Sequence, residues 1–327
     1  MFLFISNFKK YNHAYRLIIL IAAGLLCMMT ANVVIYNIRL SSNISISENR
    51  LFDDFFGRKC LPDPYPVIIY GDSRTFNGIS PDIISKVLQQ PSFNLAFSSG
   101  GMNESMMRLI DAKLERKNDK KVVILGISPY SLTEKARKNE CYNSYYGKLK
   151  IKGDSLFISS RGLRLLDIIT MPINKIFTIG SPNAKKIHKG KVFSKQYHDN
   201  GWCETVVYGD TKKSIEKTLE MYETRDFKNN PISPASISEM LTYIRKWTNE
   251  GVQVFAFRPP TCDAMEDIEE RKTEFSSFML EDEIRKHGGT WIEIPRTGWV
   301  SYDASHVDAE SAKKLSAFIA GIILQRN

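Results

Sequence analysis

Cysteine and histidine are scarce in this chain. Its 327 residues include five of each, and no two lie at a zinc-ligand spacing. A structural zinc module is therefore excluded, and no other metal or nucleotide cofactor is implied. There is no glycine-rich phosphate loop, which removes the commonest nucleotide-binding reading. There is no low-complexity tract and no internal repeat, so solenoid and array architectures are excluded. The net charge is +9, yet no zinc finger and no Arg/Lys-rich arm accompanies it, so nucleic acid is not expected as a partner. The basic balance then points to an anionic membrane surface or an acidic polymer. A hydrophobic content of 43 % is ample for a core, and the length suits one large domain with an insertion.

Charge is missing altogether from one stretch. Residues 17–38 read LIILIAAGLLCMMTANVVIYNI. As a helix at roughly 1.5 Å per residue this run would extend about 33 Å, enough to cross a hydrocarbon core. Lys9, Lys10 and Arg16 precede it without an acid, and Arg39 and Ser- and Asn-rich sequence follow. The positive-inside rule places residues 1–16 in the cytoplasm and the remainder outside, periplasmic or extracellular. The run is longer than the apolar part of a usual signal peptide and lacks a clear A-x-A cleavage site. It therefore reads as an uncleaved single-pass anchor in the cytoplasmic membrane. It has no polar face, which argues against a buried core helix. Beyond it, Cys60, Cys141, Cys203 and Cys262 allow two disulfides in three pairings, or four free thiols.

Residues 39–65 read as a juxtamembrane linker whose Phe52, Phe55 and Phe56 are placed to pack on the domain. From residue 66 a βα alternation begins. Strands are expected over 67–70, 93–97, 122–125, 252–257 and 290–294. Helices are expected over 81–88, 104–118, 236–250 and 266–287, with a last one after Asp308. Residues 131–232 break the rhythm and read as a large, Lys/Arg-rich insertion or cap, with short helices near 161–169 and 211–222. Its Tyr142, Tyr145, Tyr146 and Trp202 are the types that stack on sugar rings or fill a small core. Five strands with intervening helices predict an α/β fold, a three-layer α/β/α sandwich around a parallel sheet. In such sheets ligands bind beyond the carboxyl ends of the strands.

The loops at those ends carry Ser73, Gly100, Ser128, Arg258 and the stretch from Asp303 to His306. Serine is a weak nucleophile that needs a base, and an acid must orient a histidine base. His13, His188, His198 and His287 lie elsewhere in this plan. Only His306 follows a strand, and Asp303 precedes it by three residues. Arg74 and Arg258 are candidates for holding an acidic substrate, each equally readable as a structural arginine. Asn94 is read as structural, and Asp72 as a cap.

Gly71-Asp72-Ser73-Arg74 after the first strand, Gly100-Gly101 after the second and Asp303-Ala304-Ser305-His306 near the end together resemble the blocks of the SGNH (GDSL-like) serine hydrolase and acyltransferase superfamily. The resemblance covers roughly residues 66–130 and 236–327. It implies Ser73 as nucleophile, His306 as general base and Asp303 as its orienter. It also implies an oxyanion hole from the backbone amides of Ser73 and of Gly100 or Gly101. Where the family supplies an asparagine to that hole, this chain reads Gly126-Ile127-Ser128-Pro129, and the Ser128 hydroxyl is the substitute. The chain is similar in this to membrane-anchored relatives such as alginate O-acetylation proteins and the D-alanyl transfer protein of Gram-positive walls. Those relatives imply a serine O-acyltransferase, most simply an O-acetyltransferase, modifying a cell-surface polysaccharide. A polytopic membrane acyltransferase would supply the acyl group. An esterase or deacetylase using water, and a non-catalytic polysaccharide-binding accessory protein, are the alternatives.

Overall fold

The computed structural model describes residues 63–115, 120–139 and 192–326, together with Ile19, Ala23, Gly24, Cys27, Phe55, Phe56, Lys59 and the pairs 157–158 and 163–164. The chain divides into two units. One comprises Leu51–Gly147 and Gly190–Asn327, the other Met1–Arg50 and Lys148–Lys189. The expected span over 17–38 lies outside the described residues except for Ile19, Ala23, Gly24 and Cys27, which are helical. Among the described residues no helix is long and apolar enough to cross a membrane.

The larger unit is an α/β fold. Val67–Gly71 (β1), Ser92–Asn94 (β2), Lys121–Gly126 (β3), Val252–Phe257 (β8) and Thr290–Trp291 (β9) form a five-stranded sheet in the order β2-β1-β3-β8-β9. All of its pairings are parallel. The near-continuous apolar runs VIIY, VVIL and VFAF suit strands covered on both faces, because a residue pointing either way meets protein. Alternate residues show the two coverings. Val67, Ile69, Val122, Ile124, Phe255 and Phe257 pack with Ile84 of Pro81–Leu88 (α2) and with Leu315, Ile319 and Ile323 of Ala309–Gln325 (α9). The interleaved Ile68, Tyr70, Val123, Leu125, Val254 and Ala256 are buried too. On that side lie Glu104–Lys113 (α3) and Pro234–Asn249 (α6), which contact β1 and β8 respectively. Burying one such side chain contributes about 1.5–3 kcal/mol, so these stripes dominate the fold's stability.

Local chemistry sets the helix starts. Pro81 opens α2, where its fixed φ is already helical and its missing N–H costs nothing. Asn103 accepts from the Met106 N–H at the start of α3, and Asp308 accepts from the Ser311 N–H at the start of α9. Two expectations need correction. The single helix over 266–287 is two helices, Asp263–Thr273 (α7) and Ser277–Lys286 (α8). Glu274 between them is left-handed at φ +54. That break swings Phe275 inward, where it is buried and receives the Arg258 guanidinium at 5.2 Å from its ring centroid. The strands expected over 93–97 and 290–294 are regular only to Asn94 and Trp291, but the N–H groups of Leu95 and Phe97 still donate to the carbonyls of Ile69 and Gly71 on β1, and that of Ile292 to the carbonyl of Ala256 on β8.

Within the stretch 131–232, the described residues include Glu134–Arg137 (α4), a hairpin of Phe193–Tyr197 (β6) and Cys203–Val207 (β7), and the helix Lys212–Met221 (α5). Thr133 and Ile232 pair as an isolated antiparallel bridge, which brings the two ends of the stretch together within the larger unit. The helix expected near 161–169 is not what its described residues form. Leu163–Arg164 (β5) is instead a two-residue strand paired with Phe157–Ile158 (β4), in the other unit. Trp202 is buried and donates to the Asn77 carbonyl, so it packs rather than presenting a face to solvent. Tyr142, Tyr145, Tyr146 and Phe52 lie outside the described residues. Cys203 and Cys262 are free thiols, which rules out the arrangement with two disulfides.

Candidate active site

The nucleophile candidate stands on a tight turn from strand to helix. β1 ends at Gly71, Asp72 caps the next helix, and Ser73 is the first residue of Ser73–Gly78 (α1). Gly71 and Gly126 are register partners on β1 and β3. A Cβ on either would collide with the Thr75 side chain. Two glycines side by side thus let α1 descend onto the strand ends, with the Thr75 hydroxyl donating to the Gly126 carbonyl at 3.4 Å. The Ser73 N–H, first in its helix, has no intrahelical acceptor.

The acid and base share one short loop. Ser301 and Val307 close it as an antiparallel bridge, and the Tyr302 N–H donates to the His306 carbonyl at 3.0 Å. The Ala304 carbonyl accepts from the Cys262 N–H at 3.1 Å, and Ala304 turns the chain at φ +69. Inside the loop, Asp303 Oδ1 accepts from the backbone N–H groups of Ser305 at 3.1 Å and His306 at 2.8 Å. Its Oδ2 lies 2.8 Å from His306 Nδ1. His306 Nε2 is 2.8 Å from Ser73 Oγ. The three side chains therefore form a continuous hydrogen-bonded line from carboxylate to hydroxyl.

Electrostatics keep the acid ionised. Burial alone would push the Asp303 carboxyl up. The His306 charge, the His306 side-chain bond and the two backbone donors outweigh it and hold the carboxyl below its ordinary range. An ionised Asp303 favours the imidazole tautomer with its proton on Nδ1, which leaves Nε2 as acceptor for the Ser73 proton. A hydroxyl so placed can become an attacking alkoxide without free hydroxide.

Several expected neighbours are engaged elsewhere. The Ser128 hydroxyl, expected as an oxyanion donor, is fully buried and donates to Asp72 Oδ2 at 2.5 Å. Its one proton is committed to a carboxylate, the strongest acceptor nearby. The Gly100 N–H closes a turn onto the Phe97 carbonyl at 3.0 Å. The Gly101 N–H carries no hydrogen bond among the described residues. A Cβ there would strike the Ala136 carbonyl, so glycine is needed for close packing. Arg74 and Arg258, expected to touch substrate, are bound by Glu269 at 2.6 Å and 3.0 Å. Arg74 is 2 % exposed and cannot reach a bound molecule in this arrangement. Asn94 is structural, its amide donating to the Thr75 and Ile79 carbonyls.

Arg258 does line a cavity of about 290 Å³ beyond the ends of β8 and β9, together with Glu266, Glu270, Phe275 and Arg296. Ser73, Asp303 and His306 are not among its walls, so side-chain geometry rather than concavity locates the site. Two neighbours escaped the sequence reading. Tyr302 is buried and stacks on the His306 ring, with centroids 5.9 Å apart and planes at 21°. Tyr222 reaches Ser305 from the stretch 131–232, its hydroxyl 3.2 Å from Ser305 Oγ. Tyr302 adjoins the D-x-x-H block and could have been suspected. Nothing in the sequence separates Tyr222 from the other tyrosines. No group of metal-ligating side chains occurs among the described residues. No known family model matches the chain, and no curated protein is similar to it.

Proposed function

We propose that the chain is a membrane-anchored, extracytoplasmic serine O-acyltransferase of SGNH type, with a flavodoxin-like sheet order, acting on a cell-surface polysaccharide. The observation that carries this reading is the Ser73–His306–Asp303 line, with both of its contacts at 2.8 Å. In the first half-reaction Ser73 Oγ bonds to the donor's acyl carbon as its proton moves to His306 Nε2. The donor's leaving oxygen takes that proton and departs. In the second half, His306 accepts the proton of a sugar hydroxyl, which attacks the acyl-Ser73 ester, and the proton returns to Ser73. The N–H groups of Ser73 and Gly101 are the donors offered to the developing oxyanion. The uncharged run over 17–38 supports anchoring, and the net charge of +9 supports an acidic or membrane-apposed acceptor. A polytopic membrane partner would supply the acyl group.

The test uses the full-length chain in detergent, treated with a serine-directed fluorophosphonate and mapped by mass spectrometry. An adduct on Ser73 that disappears in His306→Ala is expected. A folded protein without that adduct would sink the reading. Acetate content of the surface polymer in a Ser73→Ala strain then separates the two catalytic alternatives. Reduced acetylation fits the transferase, whereas raised acetylation fits a deacetylase.

A further inference from the structure

Arg74 directly follows the nucleophile candidate, yet its guanidinium turns into the protein. Nε donates to Ser305 Oγ at 3.0 Å, and Nη2 lies 2.6 Å from Glu269 Oε1. Arg74, Ser305 and Glu269 are all buried. Glu269 is itself fixed from the other side by Arg258 at 3.0 Å. The Arg74 guanidinium lies 5.6 Å from the centroid of the Tyr222 ring, and the Tyr222 hydroxyl meets the same Ser305 oxygen at 3.2 Å. One planar fork therefore spans three elements: the nucleophile helix, the Asp303–His306 loop and α7.

Ser305 is the critical link. It lies between Asp303 and His306 in sequence, and its N–H donates to Asp303 Oδ1. A displacement of Ser305 moves the acid and the base together relative to Ser73. A buried ion pair is a poor source of stability, since desolvation offsets most of the attraction, but it can specify one geometry. Arginine suits that task because its fork fixes two partners in one plane, whereas a lysine ammonium is a point charge.

We propose that Arg74 is a positioning residue, setting the Ser73–His306 contact through Ser305 with Glu269 as its anchor. This rests on the acyl-Ser73 reading. Arg74 touches no reacting atom, so its effect should appear in how fast the serine reacts rather than in how well a small reagent binds.

The experiment measures fluorophosphonate labelling of Ser73 in the full-length chain against reagent concentration, for wild type, Ser305→Ala and Arg74→Lys. Circular dichroism at the assay temperature corrects each rate for the folded fraction. The expected result is a fall in the saturating labelling rate on the order of tenfold to a hundredfold in both variants. The half-saturating reagent concentration should be unchanged. Ser305→Ala alters no charge and keeps the proposal testable should Arg74→Lys fail to fold. Wild-type saturating rates in folded Ser305→Ala would overturn the positioning role while leaving the acyl-serine reading intact. A wild-type protein not labelled at Ser73, or labelled independently of His306, would overturn both.

Discussion

The Ser128 hydroxyl donates to the Asp72 carboxylate across 2.5 Å. The bond ties the loop after β3 to the residue that caps the nucleophile helix, and the other Asp72 oxygen accepts from the Arg74 N–H at 2.9 Å. Both residues are buried. Ser128→Ala would leave a buried carboxylate short of a donor, a loss of about 1–3 kcal/mol. Denaturant unfolding of the two proteins is the check. A Ser128 that served only the oxyanion would instead change reactivity without changing stability.

Asp303→Asn keeps the shape of the loop but reverses the pattern it offers to His306. An amide that donates toward Nδ1 selects the tautomer with its proton on Nε2, which cannot accept from Ser73. Loss of reactivity on the order of 10⁴ is expected from this cause. Labelling rates of Ser73 in the two proteins measure it.

The same residue gives a pH dependence of stability. The folded Asp303 carboxyl is held below its ordinary value of 3.8. A depressed carboxyl contributes stability that is present above the unfolded value and lost as pH falls through the folded one. The stability advantage of wild type over Asp303→Asn should therefore be full at pH 5 and shrink below about 4. Thermal melts of both proteins across that window would show the difference constant if the ionised form had no favoured partners.

Lys59 is fully buried, with its ammonium 2.6 Å from the Ala96 carbonyl and 4.5 Å from the centroid of the Phe55 ring. The ring centroids of Phe56, Phe76 and Phe97 also lie near the ammonium, at 5.3 to 5.8 Å. Lys59→Ala removes both the stem's packing and the cation's contact with the rings, a loss of about 2–4 kcal/mol. Lys59→Met keeps most of the stem and should lose less. Equal melting temperatures for the two variants would show that the stem contributes nothing.

Cys203 is a free, fully buried thiol on β7. Burial pushes it up to about 11, beyond the opposing effect of Lys195 and Lys59. Iodoacetamide at pH 8 should leave it unmodified in the native protein and alkylate it after unfolding, because the thiolate is the reactive form. Peptide mapping with and without denaturant distinguishes the two states.

How much of this was legible beforehand depended on the range of the interactions. The strand cores and the starts of α2, α3 and α9 follow from neighbours in sequence. Apolar runs such as VVIL and VFAF, Pro81 after Ser80, and the capping residues Asn103 and Asp308 act within a few residues of themselves. The order of Ser73, Asp303 and His306 along a βα alternation was enough to place them at one end of a sheet. Sequence alone could not divide the work among the other polar residues. Arg74 and Arg258 looked equally suited to a substrate or to a partner, and folding brings both onto Glu269, far away in the chain from Arg74. Ser128 looked like a spare donor, and the turn at Asp72 claims its proton. The break at Glu274 depends on a place for Phe275 beneath Arg258, which exists only once β8 and α7 are packed. Short-range preferences are written into neighbouring residues. The partner of a buried charge or hydroxyl is decided by whichever complementary group the tertiary structure brings within about 3 Å, since burial leaves no water to take its place.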